Sequence, residues 1–453
     1  MLADTIAAIA TAAAPAGLGV VRLSGPEAAA IADRVFTAVS GKRLAELKGY
    51  AAAFGHVADA EGEIDEAVAL RFVAPRSYTG EEVVELSVHG GSYLLQRLLR
   101  AVLDAGARLA QPGEFTRRAF ENGKLDLTAA ESVMDLVGAK GDQAHRAALA
   151  ARNGATFSAV NGVKETLVGA LADLAAWVDF PEEDVPAVDP AVLSETLSGA
   201  LDRLQKLLAT AETGRLLREG IDVVLVGKPN VGKSTVMNLL ARCDRSIVTD
   251  RPGTTRDAVE TMVSVGGVTL RLTDTAGLRD TDDPVEAIGV SIANEKMESA
   301  QILLGVLDRS RPLTDEDASL IEKLSHRRAL LLVNKADLAA AWDEAALPDG
   351  LPRVVLSARQ DSPETLEAAL RPLLRLEELD PAAGLLANER QLDCARQAAR
   401  ALEDALDALN RGVTLDAVGV CLQDGLEALC ALTGESVSEE VVEDVFRRFC
   451  VGK

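Results

Sequence analysis

The sequence predicts an α/β domain of the P-loop kind inserted into an α-helical domain, with an α+β domain in front of both. Three observations carry this. Short apolar runs bounded by Gly and Ser fill residues 1–118. Helical texture occupies 119–217 and returns over 379–453. Between the two helical stretches, 218–378 alternates strand with helix, beginning on "IDVVLVGKPNVGKS". The same texture on both sides of the α/β segment points to insertion.

In the first domain, "GVVRLSG" and "EEVVELSVHGG" read as strands, the second setting Val84, Leu86 and Val88 against Val83, Glu85 and Ser87. From about Leu127 the texture becomes Ala/Leu-rich, and Thr128 with Glu131 forms an expected capping box. The pattern runs to about Arg218, broken near "DFPEEDVPAVDP" by three prolines and a cluster of acids. The last helix is expected to be capped by Ser436 with Glu439 and to bury Val441, Val442, Val445, Phe446 and Phe449.

Composition narrows the function classes. At 453 residues, 48% apolar and 26% charged, the chain suits about three globular domains. No apolar run approaches the roughly 20 residues of a membrane span, and residues 1–22 lack a signal-peptide layout. The five cysteines, Cys243, Cys394, Cys421, Cys430 and Cys450, follow no metal or disulfide spacing, which suggests reduced cytoplasmic thiols. A net charge of −23 argues against unaided grip on nucleic acid, so a basic partner or local patch must do much of any holding.

The α/β segment carries the chemistry. In "GKPNVGKS", Asn230, Val231 and Gly232 form a loop whose N–H groups curl around phosphates, with Lys233 reaching the outer ones. Ser234 can ligate Mg²⁺, and Thr235 continues the helix N-terminus. Asp274, closing "VTLRLTD", can hold Mg²⁺ through water. Thr275 and Ala276 lead to Gly277, whose N–H can reach the terminal phosphate. Thr255 in "RPGTTRD" stands where a switch threonine completes the metal shell. "NKAD" supplies Asn334, Lys335 and Asp337. A carboxylate at Asp337 accepts from guanine N1–H and its amine and rejects adenine, while Ser357, Ala358 and Arg359 close the pocket. Motifs in this order on these elements indicate a GTPase.

Leu278 stands where a Ras-like enzyme has a water-orienting Gln, so another group must orient water. Asp280, Asp282, Asp283 and Glu286 follow, any of which is otherwise a solvated loop residue. No arginine finger is identifiable. Such a finger contributes roughly 10³–10⁵ in rate, so hydrolysis is either very slow or served by another cation.

With these residues in view, the chain resembles the MnmE (TrmE) family of tRNA modification GTPases over essentially its whole length. The resemblance rests on "DTIAAIAT", "VVRLSG", "SYTGEEVVELSVHGG", "QPGEFTRRAFENGKLDLTAAE", "DFPEED", the nucleotide motifs and the terminal "FCVGK". It implies an N-terminal domain that dimerises and binds 5-formyl- or 5,10-methylene-tetrahydrofolate, a helical domain and an inserted G domain. It also implies a homodimer in a heterotetramer with the FAD-containing protein MnmG, which installs an aminomethyl-type group, carboxymethylaminomethyl included, on C5 of the wobble uridine of certain tRNAs. Folate contacts carry over to Arg22, Glu85, Lys124 and Lys453. The resemblance further implies that a potassium ion replaces the finger, on Asn230 and around Thr249, Arg251 and Thr254, with Thr249 also lining the GTP site, and that Glu286 is the water-positioning acid. The competing function is a potassium-dependent ribosome-assembly GTPase, but such proteins carry a basic KH-like or second G domain that this chain lacks.

The ending "FRRFCVGK" has the outline of a prenylation box, yet Gly452 and the charged Lys453 occupy places that call for aliphatic and small residues. Two readings of Cys450 stay open: a thiol buried for packing, and a functional thiol presented by the tail beside the folate site.

Overall fold

In a computed structural model, residues 4–12, 14–179, 188–242, 260–274, 295–374, 380 and 382–452 are described. The chain divides into two compact units. The first comprises Met1–Met134, Phe157–Leu204 and Asp393–Lys453, the second Asp135–Thr156 and Gln205–Leu392.

The first unit is built on a seven-stranded sheet of β1 (Ile6–Ile9), β2 (Ala16–Ser24), β3 (Phe36–Ala38), β4 (Ala51–Asp59), β5 (Gly62–Phe72), β6 (Val83–Gly90) and β7 (Arg108–Leu109), in the order β3-β4-β5-β6-β2-β1-β7. Neighbours are antiparallel except β1 and β7. Because side chains alternate along a strand, Val21, Leu23, Val84, Leu86 and Val88 enter one apolar core beneath α1 (Ala28–Val35) and α2 (Ser92–Asp104). The intervening residues face the other side. There Ala8 pairs with Arg22 and Arg22 with Glu85. Ile6 and Ala8 pack with Phe115 of α3 (Glu114–Glu121) in a second, small core. One face is thus sealed by apolar burial, and the other carries a charged pair.

Among the described residues seven further helices follow this sheet in sequence outside the second unit's sheet: α4 (Leu127–Gly138), α5 (Asp142–Arg152), α6 (Ala155–Asp179), α7 (Pro190–Ala209) and a C-terminal group of three beginning at Glu389. Of these, α5 belongs to the second unit. Asp126 caps α4, accepting from the backbone N–H groups of Thr128 (2.9 Å) and Ala129 (3.1 Å). The expected Thr128–Glu131 box is therefore corrected by two residues: an Asp just upstream offers a short carboxylate to two of the orphan donors at once.

The second unit holds a six-stranded sheet of β8 (Ile221–Val226), β9 (Glu260–Val265), β10 (Val268–Asp274), β11 (Ile302–Asp308), β12 (Ala329–Asn334) and β13 (Arg353–Val355), ordered β13-β12-β11-β8-β10-β9. All pairs are parallel except β9–β10. Helices α8 (Ala211–Glu219), α9 (Lys233–Leu240), α10 (Asp315–Ser325) and α11 (Pro363–Leu374) complete it. Val223, Leu225, Leu304 and Leu332 enter one core with α9 and α11, whereas Val224, Val226, Leu303 and Leu331 enter another with α10. Burial on both faces explains why these strands read as continuous apolar runs. Chain direction across the sheet reverses at β8, which opens a crevice at the carboxyl ends of the strands.

The chain ends with α12 (Glu389–Asn410), α13 (Leu415–Thr433) and α14 (Glu439–Arg447). Gly425 of α13 lets three helices approach closely, since a Cβ there would lie 3.3 Å from Leu167 of α6 and 3.4 Å from Ala401 of α12. The cap of α14 is Ser438, whose hydroxyl accepts from Val441 N, and not Ser436. The backbone N–H groups of Gly434, Glu435 and Ser436 all donate to Cys430 O, so Ser436 is consumed in ending α13. Val442, Phe446 and Phe449 are buried with Leu127, Ala130 and Val133, and Val445 packs against them. Val441 is exposed instead, because its turn position points away from that stripe.

Candidate functional site

At the carboxyl end of β8 the chain turns through Gly227 (φ +151°), Asn230 (φ +63°) and Gly232 (φ +102°) into α9. Gly232 is required sterically, because a Cβ there would strike the side-chain amide of Asn334. Lys233 is buried, its ammonium donating to the carbonyls of Gly227 (2.8 Å) and Lys228 (2.9 Å). That holds a cation inside the loop, over the helix N-terminus, where anionic oxygens bind.

The opposite wall comes from the ends of β12 and β13. Buried Asn334 links the walls: its amide donates to Val231 O (2.9 Å), and its side-chain oxygen accepts from Ala358 N (3.0 Å). Ser357 Oγ donates to Asp337 Oδ1 (2.7 Å), and Ser357 N donates to Asp361 Oδ2 (2.8 Å). Asp337 is therefore aimed by a hydroxyl that is itself held. Between the walls lies a cavity of about 650 Å³, lined by Asn230, Gly232, Lys233, Ser234 and Thr235 on one side and by Asn334, Lys335, Asp337, Ser357, Ala358 and Arg359 on the other. That volume suits a nucleotide-sized ligand. Val231 is buried beneath the loop. Asp274 ends β10 at the register of Leu225, beside the loop's strand, with its side chain outside the described residues. Thr249, Arg251, Thr254, Thr255, Thr275, Ala276, Gly277 and Glu286 also lie outside them, as do Leu278, Cys243 and Lys453.

Two carboxylates at this site were missed from sequence. Asp308, the last residue of β11, accepts from Lys335 Nζ at 2.6 Å. Burial pushes it up, but the Lys335 ammonium and the Ser310 hydroxyl and N–H outweigh that and hold it below the usual carboxylate range. Asp317 in the first turn of α10 accepts from Lys228 Nζ (2.8 Å) and Thr314 N (2.9 Å). Burial again opposes, and Lys228 and Thr314 again prevail, leaving it low. The available signal was that Asp308 closes "ILLGVLD" as Asn334 closes "ALLLVN": a polar residue at the carboxyl end of a buried strand.

In the first unit, Arg22 pairs with Glu85, its Nε and Nη2 each 2.8 Å from Oε1. The same guanidinium stands 5.7 Å from the ring centroid of Phe115, and its Nη1 lies 3.5 Å from Gly452 O. Gly452 has φ +97°, and a Cβ on it would strike Ile9 O, so the tail lies directly on β1. Cys450 O accepts from Gly113 N (3.3 Å), and Cys450 is exposed. Exposure excludes the packing reading of this thiol. Lys124 is held at the 75–80 loop, its ammonium donating to Pro75 O (3.1 Å). Buried Arg118 donates to Asp4, Glu81 and Glu114.

The family model described as "GTP-binding protein TrmE N-terminus" matches residues 5–124, and that described as "MnmE helical domain" matches 127–450. The tRNA modification GTPase MnmE of Synechococcus sp. (strain JA-3-3Ab) is 45% identical over 458 residues, covering 100% of this chain and 99% of the relative. The protein of the same name from Symbiobacterium thermophilum is 43% identical over 456 residues, covering 99% of each.

Proposed function

The chain belongs to the family of the tRNA modification GTPase MnmE, and from that premise we propose that it is the GTP-hydrolysing subunit of a complex that modifies C5 of the wobble uridine of certain tRNAs. The group added is of the aminomethyl or carboxymethylaminomethyl type, one carbon coming from 5-formyl- or 5,10-methylene-tetrahydrofolate. The observation that carries this reading is the contact of Gly452 with the Arg22–Glu85 pair. Gly452 O lies 3.5 Å from Arg22 Nη1 on the polar face of the first sheet, and Cys450, two residues earlier, is exposed. A guanidinium and a carboxylate suit a pterin-glutamate, which has acids at one end and amide-like edges at the other. Lys124 and Lys453 are the further contacts.

GTP occupies the cavity of the second unit, with guanine on Asp337 and its phosphates over the N-terminus of α9. Ser234 and Thr255 would hold Mg²⁺, which would supply countercharge to the phosphates. Asn230, Thr249, Arg251 and Thr254 would hold potassium, which would supply countercharge in place of an arginine finger. Glu286 positions water. The working form is a homodimer, joined by the FAD-containing protein MnmG into a heterotetramer that holds tRNA in the cytoplasm. The three-part organisation, 1–118, 119–217 with 379–453, and 218–378, belongs to the same reading. Among the described residues no helix is long and apolar enough to cross a membrane.

The test has two arms. Hydrolysis by the purified chain is expected to be several-fold faster or more in potassium than in sodium buffer, and equal rates would remove the potassium assignment. Mass spectrometry of tRNA from cells lacking the protein should show unmodified wobble uridine. An unchanged modification profile would overturn the substrate.

A further inference from the structure

We propose that Asp308 is a positioning residue for guanine-nucleotide binding: it holds the Lys335 ammonium against the carbonyl of Asn230 and so ties the guanine-recognition loop to the P-loop. Among the described residues only Tyr50, Asn230 and Lys335 are non-glycine residues in the left-handed region. Two of these three meet through one hydrogen bond, Lys335 Nζ to Asn230 O at 2.9 Å. Such conformations persist where the surroundings over-determine them, and they gather at functional sites. Asp308 is what over-determines this pair. Its Oδ2 lies 2.6 Å from Lys335 Nζ, and the residue is almost fully buried at the end of β11. That strand pairs with both loop-bearing strands, Gly305 matching Val226 and Asp308 matching Asn334, so the carboxylate stands under both loops.

The carboxylate is itself fixed. Oδ1 accepts from Ser310 N (2.9 Å) and Ser310 Oγ (2.6 Å), and the Asp308 carbonyl accepts from Trp342 Nε1 (3.2 Å). Arg311 approaches Oδ2 at 3.5 Å from a largely exposed side chain and adds little. With both oxygens committed, the ammonium has one place to sit. Without Asp308, a flexible lysine would have only a carbonyl oxygen and solvent to hold it. Asn230 would then lose the bond that stabilises its turn, and one change would loosen both walls of the cavity.

The inference rests on the nucleotide site proposed above, and Asp308→Asn tests it in the full-length chain. Asn keeps a side-chain oxygen for Ser310 but places an NH₂ group against the ammonium, so only the Lys335 contact is reversed. We expect GTP and GDP affinity, read by titration of a fluorescent nucleotide, to fall about tenfold or more, the scale of one charge-assisted bond. KM for GTP should rise by a similar factor with a smaller change in kcat, as for lost ground-state binding. The nucleotide-free melt should match wild type. Adding Lys335→Met to Asp308→Asn should cost no more than about twofold beyond Lys335→Met alone, because the two act as one unit. Ser310→Ala, which removes one of the bonds that fix the carboxylate but spares the Lys335 contact, should lose less affinity than Asp308→Asn. An Asn variant with wild-type affinity, or losses that multiply in the double variant, overturns the proposal; the double variant decides even if the melt falls. A wild-type chain that binds no guanine nucleotide would overturn the underlying site instead.

Discussion

Cys450 changes from an ambiguous residue to an interpretable one once its exposure is known. An exposed thiol contributes little packing, so Cys450→Ser is expected to melt with wild type and to hydrolyse GTP normally, since residue 450 lies in the other unit. It is nonetheless expected to abolish tRNA modification, because Ser is a far weaker nucleophile near neutral pH. Modified-uridine content in a strain carrying only this variant decides the matter, and normal content would leave the thiol without a role. At this scale legibility depended on distance along the chain. The P-loop, "NKAD" and "SAR" segments were readable because each packs its chemistry into a few consecutive residues. Arg118 and Asp308 were not. Arg118 draws its partners from Asp4, Glu81 and Glu114, and Asp308 meets Lys335 across two strands. Neither grouping exists until the sheets form.

Elements were legible by type and less so at their ends. Strands of the second unit announced themselves through unbroken apolar runs and those of the first through alternation, which follows from burial on both faces in one sheet and its limitation in the other. Caps went astray because Asp126 and Ser438 each compete with another capping residue two positions away, and only the finished turn selects between them. The grouping of α5 with the second unit was not readable at all. It depends on backbone contact, Gln143 N donating to Gly267 O at 3.0 Å, with Gly141 leaving room for the approach. A similar approach seats the last helix. Gly113 has φ +68°, and a Cβ there would lie 2.6 Å from Phe446 O and 3.0 Å from the Cβ atoms of Phe446 and Phe449. Gly113→Ala should therefore destabilise the first unit by roughly 1–3 kcal/mol from backbone strain alone. Displacing α14 also shifts the tail, so the proposed folate binding, measured by calorimetry, should weaken while GTP hydrolysis persists. An unchanged melt with full folate binding would show that α14 seats itself without this contact.

For the whole molecule, charge and division into units constrain how tRNA can be held. The chain carries 70 acidic against 47 basic side chains, a net −23. Each phosphate contact must be made by a cation and releases counterions, so affinity for a polyanion follows the basic surface presented to it. Much of the local basic charge is already committed: Arg22 to Glu85, Arg71 to Glu82, Arg97 to Asp59, and Arg108 and Arg118 to Asp4 and Glu114. Such pairs leave a phosphate to compete with a carboxylate that is already in place. We therefore expect the isolated chain to retain little tRNA at about 0.15 M salt, where surface attraction is screened beyond roughly 8 Å. Retention should appear when the FAD-containing partner proposed above is added and should fall steeply as salt is raised. Filter binding or gel retardation across a salt series, with each protein alone and with the two together, gives the comparison. Tight binding by this chain alone at physiological salt would place a basic surface on it that the net charge conceals, and would move the tRNA-holding role from the partner to this subunit.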